Sequence, residues 1–324
     1  MKFAWWFYIE SSDVNVERCL ASVMENADLV DELLPCIYSA KANGDVVAVA
    51  TADQIEGVRE VARKVNARVI PLIAMQSVTA LKEMFSSPEV VEVHIGKLIE
   101  TLKSHGFDIV DIDYECLPDE YRERNTAFFL RLAELAHAHG IEVSFPAQPK
   151  EADYGGILGS GAQDYAALGS FLDQIRVMCY DQHHWAYSGP GPVGGADWAD
   201  SVISYSSSVI PTKKLYMGIP VYGHEWDMDD NTRSRYLPYP DAVAVMGEYG
   251  ISPEWDATAK VPHFDYVAND GARKSAWYSD RKSFAAALDV AEKHSVSGIS
   301  VWVLGQEDPG VWDVLREYRR SGRG

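Results

Sequence analysis

The chain has 324 residues, of which 29 are Lys or Arg and 48 are Asp or Glu, giving a net charge of −19. An acidic excess of that size, with no basic run to gather phosphates, excludes a nucleic-acid partner and suits a neutral ligand. A 47% hydrophobic content excludes a disordered or fibrous chain, and no stretch of about 18 apolar residues is present to insert into a membrane.

The first segment, Lys2 to Ile9, is apolar and aromatic and runs into Glu10 without a small-residue cleavage site. It reads as a strand and not a leader, which predicts a cytoplasmic chain, or a secreted one whose leader has been removed. Seven similar segments follow: Leu33 to Ser39, Ala67 to Met75, Gly106 to Tyr114, Ile141 to Ala147, Gln174 to Asp181, Leu215 to Tyr222 and Ser297 to Leu304. Start-to-start gaps are 31, 34, 39, 35, 33, 41 and 82 residues, so the first six units are of similar length and the seventh is enlarged. Between them lie helical patterns near Gln54 to Val65, Pro88 to Ser104, Asp119 to His139, Trp198 to Ser208, Phe284 to His294 and Val311 to Arg320. An eightfold strand–helix alternation predicts an α/β chain forming one closed parallel (β/α)8 barrel over residues 1–324. The enlarged unit, residues 224–280, predicts a small α+β insertion after the seventh strand, with short strands at Pro262 to Tyr266 and Ser275 to Tyr278. Cys19, Cys36, Cys116 and Cys179 are far apart and form no CxxC pair, so buried reduced thiols are expected.

The densest chemical pattern is GFDIVDIDYE, Gly106 to Glu115. Side chains two apart on a strand share a face, so Asp111, Asp113 and Glu115 point into the barrel and Asp108 points the other way. Glu115 is last and reaches the C-terminal rim, where barrel enzymes keep their sites. Burial and like-charge neighbours push at least one such carboxyl upward, as a general acid requires. Three readings compete: an acidic strand end solvated at the mouth, a divalent-metal site, and a sugar-cleaving carboxylate set. The strand-enforcing Ile109, Val110 and Ile112 speak against a flexible metal loop, and the third reading is favoured.

This segment resembles the D-x-x-D-x-D-x-E signature of glycoside hydrolase family 18, the chitinase family, with Asp108, Asp111, Asp113 and Glu115 at its four acidic positions. Ile109 stands where the family usually has Gly, and Tyr114 replaces a common Trp. Other strand ends resemble the family in order: Met178, Tyr180 and Asp181 in VMCYDQ, then GIPVYG at Gly218 to Gly223, then Trp302 in GISVWVLG. SGPGP, AWYSDRKSF and VLGQEDPGVW look most like bacterial cell-wall and spore-cortex members. His224 departs from the Arg that many chitinases carry after Tyr-Gly.

The resemblance implies a TIM barrel and a retaining hydrolase cleaving β-1,4 bonds at N-acetylglucosamine, on peptidoglycan-type glycan or chitin oligosaccharides. The substrate's 2-acetamido oxygen would be the nucleophile. It gives Glu115 the role of acid and base, Asp113 that of orienting the acetamido N–H, Asp111 that of sharing the Asp113 proton, and Tyr180 a hydrogen bond to the acetamido carbonyl. Asp181, Gln182, Tyr222, Trp302 and Trp5 are the expected substrate contacts, with Trp302 as the sugar platform. Trp6 has the opposite parity to Trp5, and Trp185, Tyr187 and Trp226 are further aromatics on rim loops. No cofactor and no metal are expected, and the partner implied is an N-acetylglucosamine-containing glycan. A carbohydrate-binding protein on the same barrel is the alternative; such members usually lack a catalytic Glu or Asp, whereas Asp113, Glu115 and Tyr180 are all present here. A metal-dependent hydrolase using Asp111, Asp113 and His183 would instead lose activity in EDTA.

Overall fold

A computed structural model describes residues 1–9, 13–154 and 159–322. Eight parallel strands close on one another: β1 Lys2–Tyr8, β2 Glu32–Ala40, β3 Leu72–Met75, β4 Ile109–Tyr114, β5 Glu142–Ala147, β6 Gln174–Met178, β7 Leu215–Pro220 and β8 Gly298–Trp302. Each pairs with its neighbours in chain order, and β8 returns to β1, which completes a (β/α)8 barrel. A two-residue strand, Arg68–Val69, also pairs with β2 ahead of β3.

The outer helices start where capping chemistry allows. Thr51 and Gln54 form a reciprocal capping box before Ala52–Val65, and Ser87 caps Pro88–Ser104, whose first residue is a proline. The helix expected from Asp119 opens with a 3-10 turn, Asp119–Tyr121, and becomes α-helical over Arg122–Ala138. Among the described residues, no helix is long and apolar enough to cross a membrane.

Two strands end earlier than their apolar runs. β6 stops at Met178, and the chain then leaves the barrel through Asp181, held at φ 56° in the left-handed region. β7 stops at Pro220. Val221 still donates its N–H to the Trp302 carbonyl, and Tyr222–Asp227 then begins a second, antiparallel sheet. That sheet adds Arg235–Pro238, Glu254–Asp256, Val261–Val267 and Arg273–Tyr278, with the helix Tyr239–Tyr249 packed on one face through Leu237, Ala242, Val245, Phe264 and Tyr278. The second sheet therefore opens at Tyr222, two residues before the expected start, because Tyr222 pairs with Pro238 rather than with a barrel strand.

The barrel interior is polar at one level. Arg176 of β6 is fully buried and donates to Glu32 on β2 (2.6 Å), Ser144 on β5 (3.0 Å) and Ser300 on β8 (2.7 Å), while Tyr216 on β7 donates to Glu32 (3.2 Å). Burial would raise the Glu32 carboxyl, but Arg176 and Lys2 hold it at about 2. An ion pair with this many partners is the form in which charge survives inside a barrel.

Candidate active site

The alternation of β4 brings Asp111, Asp113 and Glu115 into one column rising towards the mouth. Asp111 is deepest and wholly enclosed; it accepts from Trp6 Nε1 at 3.0 Å and lies 3.8 Å from Arg176 Nε. Burial pushes its carboxyl up, and Arg176 pulls against that. Asp113 is also buried, and its Oδ1 has no hydrogen-bond partner in the protein. Desolvation, followed by the charges of Glu115 and Asp111, drives its carboxyl well above the usual range. Glu115 reaches the pocket, where Gln76 Nε2 donates to one oxygen (3.1 Å) and Gln148 Nε2 to the other (2.5 Å). Its carboxyl is raised by burial, with the two amides acting in the opposite direction.

Gln148 is itself held. Its N–H donates to Gln163 Oε1 at 2.8 Å, and its carbonyl accepts from Tyr165 Oη. The turn after Glu115 places Cys116 at φ 62°, against Gly159; a Cβ on Gly159 would stand 2.6 Å from Cys116 Cα, so only glycine fits.

These groups line a hollow of about 220 Å³ with Trp6, Tyr8, Tyr180, Asp181, His184, Tyr222, His224, Tyr236 and Trp302. Trp302 is part of the lining, stacked on Tyr180 (6.3 Å, 21°) and met edge-on by Tyr8 (5.2 Å). Gly218 leaves room for the Tyr180 ring, since a Cβ there would lie 3.0 Å from Cε1. Tyr222 donates to Asp181 Oδ1 at 2.5 Å, and His224 Nε2 stands 3.4 Å from the same oxygen. His224 is enclosed, and its Nδ1 has no partner in the protein. A second hollow shares Tyr8, Leu72, Gln76, Asp113 and Trp302 and continues over Tyr38 to Ala42, so the site is one part of a longer cleft.

Two expected contacts lie elsewhere. Trp5 is on the outer face of β1, stacked on Trp312 of the last helix at 4.2 Å; strand alternation sends Trp6 inward instead. Gln182 does not line the hollow, because its Oε1 accepts from the Gly195 N–H at 3.0 Å and staples the loop after β6. Of the rim aromatics, Trp226 is buried and donates to the Ser188 carbonyl (2.8 Å), whereas Tyr187 is exposed and stacks flat on His184 at 4.6 Å.

His183 turns from Asp111 and Asp113 towards the Gly189 carbonyl, 3.1 Å away, so no ligand set forms from those three. Among the described residues, the grouping able to offer three ligands to a cation is Asp181, His184 and His224, with atoms within 4.8 Å of one another. Their atoms are partly engaged: Asp181 accepts from Tyr222, and His184 Nδ1 accepts from the Ala186 N–H at 3.1 Å.

Sequence reasoning did not single out Tyr8, Gln76, Gln148, Tyr236 or Arg176. Gln76 and Gln148 end β-segments directly beside Glu115, and strand-end position was the available signal.

The chain is 27% identical to an uncharacterized glycosylase, YvbX, of Bacillus subtilis strain 168, over 68% of this chain and 64% of that protein. It is 26% identical to the cortical fragment-lytic enzyme of the same organism, over 86% of this chain and 66% of the relative. The chain thus spans about two-thirds of the length of these relatives. The spore cortex-lytic enzyme SleL of Bacillus cereus shares the fold, with a TM-score of 0.86 at 21% identity, covering 98% of this chain and 73% of that one. The model for glycosyl hydrolases family 18 matches residues 24–307, which is most of the chain and includes Asp111, Asp113, Glu115, Tyr180 and Trp302, and the chain belongs to that family.

Proposed function

We propose that the protein is a retaining glycoside hydrolase that cleaves β-1,4 bonds at N-acetylglucosamine in peptidoglycan-type glycan or chitin oligosaccharides, using the substrate's 2-acetamido group. The observation that carries this reading is the Asp111–Asp113–Glu115 column. One carboxyl at the mouth has a raised affinity for its proton, above a second buried carboxyl whose Oδ1 has no partner in the protein. Asp113 borders the pocket, and a buried oxygen without a protein partner is an acceptor left for a ligand N–H.

In this mechanism Glu115 gives its proton to the leaving glycosidic oxygen as the bond to the anomeric carbon breaks. The acetamido carbonyl oxygen bonds to that carbon from the other face, forming an oxazolinium ion. Asp113 passes its own proton to Asp111 beneath it, accepts a hydrogen bond from the acetamido N–H, and as a carboxylate offsets the developing positive charge. The Tyr180 hydroxyl donates to the acetamido oxygen, and Asp181, held by Tyr222, binds the same sugar. Glu115, now a carboxylate, takes a proton from water as it opens the ring, and two displacements leave the anomeric configuration retained. The peptidoglycan-type substrate is supported by the likeness to cortical fragment-lytic enzyme and by motifs outside the site.

The test is mass spectrometry of products from chito-oligosaccharides and peptidoglycan fragments, with and without EDTA, beside Glu115→Gln. Expected are cleavage on the reducing side of N-acetylglucosamine, indifference to EDTA, and a loss of about 10²- to 10⁴-fold in the variant. Binding without cleavage by the unmutated protein would replace this reading with a carbohydrate-binding role.

A further inference from the structure

The second sheet has two faces with different fates. One packs on the helix Tyr239–Tyr249; the other carries Tyr222, His224 and Tyr236 to the pocket. Directly opposed residues in an antiparallel sheet share a face, and the register runs Tyr236 to His224 to Trp277 to His263 across four strands. Strands lie about 5 Å apart, so Trp277 is one strand, and His263 two strands, beyond a side chain that lines the pocket.

There the rings of His263 and Trp277 stack on each other, 4.3 Å apart and 16° from parallel, and both are partly buried. They line a separate hollow of about 650 Å³, bordered by Pro190, Met228, Asp265, Val267 and Ser275. Met228 and Val267 are exposed apolar side chains, and Pro190 comes from the same loop after β6 that sends His184 to the pocket. The two hollows thus share the sheet face and that loop as walls.

Charge selects the occupant. The cations at this hollow, Arg273 and Lys274, are already spent on Asp229 (2.7 Å) and Asp227 (2.9 Å), so a phosphate or carboxylate finds no free counter-charge in them. What remains is a flat aromatic pair flanked by apolar edges, with the Asp265 carboxylate and the Ser275 hydroxyl as hydrogen-bonding groups. That combination fits the apolar face and the hydroxyls of a neutral pyranose.

We propose that His263 and Trp277 bind a sugar unit of the same glycan strand, remote from the bond being cleaved, so that the protein favours long strands over short oligosaccharides. This rests on the glycosidase reading for the identity of the strand, but the binding itself is measurable without cleavage.

The experiment uses the intact chain, with Trp277→Ala, His263→Ala and Trp277→Phe, and compares a short N-acetylglucosamine oligomer with a long one. In calorimetry on the Glu115→Gln background, both alanine variants should weaken binding of the long oligomer by about three- to tenfold and leave the short one unaffected; Trp277→Phe, which keeps a flat ring, should restore most of the loss. In turnover, KM for the long oligomer should rise with kcat unchanged. Equal loss on both lengths, or none on the long oligomer, overturns the proposal. Length-dependent binding that needs Trp277, in a protein that cleaves neither oligomer, sustains this site and overturns the hydrolase reading alone.

Discussion

Glu115 is the residue at which opposing influences on a proton meet. Burial favours its neutral form, while the N–H groups of Gln76 and Gln148 favour the carboxylate. Removing a donor leaves burial with less opposition, so Gln148→Leu should raise the Glu115 carboxyl further and move the alkaline limb of the pH–rate profile to higher pH. Gln76→Leu should do the same more weakly, its contact being the longer. A limb that stays in place, or moves to lower pH, means that the amides hold something other than this carboxylate. Asp113 carries a second consequence. Its carboxyl is raised in the folded chain, so its contribution to stability is full below the ordinary carboxylate range and is lost as pH rises through the raised value. Asp113→Asn should therefore melt roughly 2–4 °C higher than the parent near neutral pH, with the gain fading near pH 4, while activity disappears. Scanning calorimetry at the two pH values decides it, and a lower melting temperature at neutral pH refutes it. The column of three acids was legible because β4 alternates strictly. The Trp5 and Trp6 pair was not, since both residues are apolar enough for either face and only Trp6 finds a carboxylate, Asp111, to accept its N–H.

At the level of the strand, apolar runs show where a segment is buried and not where its partner changes. Leu215 to Tyr222 reads as one strand, yet Pro220 ends the barrel pairing and Tyr222 opens another sheet two residues on. Nothing in the run marks the switch, because both sheets bury their residues there. Arg176 was overlooked for a related reason: inside IRVMCY it interrupts an otherwise apolar strand, and its partner Glu32 lies 144 positions away in the chain. Breaking a buried ion pair from one side strands the other charge, which costs about 3–5 kcal/mol. Arg176→Met should lose that much in urea unfolding, and adding Glu32→Gln should recover a large part of it, since the stranded carboxylate is then gone. A double variant as unstable as Arg176→Met would show that the arginine acts through Ser144 and Ser300 and not through the pair. The pair also sets an acid limit. Glu32 is held at about 2 in the folded chain, so its stabilisation is present above the ordinary glutamate value and is lost as pH falls from there towards 2.

For the molecule as a whole, the spacing of eight apolar segments carried the barrel, because each strand–helix unit needs a similar length to cross over and pack. The enlarged seventh unit showed up as a gap of 82 residues, and two strands of its sheet, Val261–Val267 and Arg273–Tyr278, were legible as short aromatic runs; the other three were not, since short strands in turn-rich sequence leave little periodicity to read. Net charge acts at this scale as well. With 48 acidic side chains against 29 basic ones, the whole surface repels anions, although the cleft itself offers hydroxyls, amides and aromatic rings to a neutral sugar. The long-range part of that repulsion is screened beyond about 8 Å at physiological ionic strength. The KM for an uncharged N-acetylglucosamine oligomer should therefore stay flat as salt is added. For a glycan of the same length bearing peptide stems with free carboxylates, KM should be higher at low salt and fall towards the uncharged value as ionic strength rises. Steady-state kinetics on the two substrates across a salt series measures both. A KM that rises with salt for the carboxylated glycan would require basic groups reaching the strand, against the net charge of the chain.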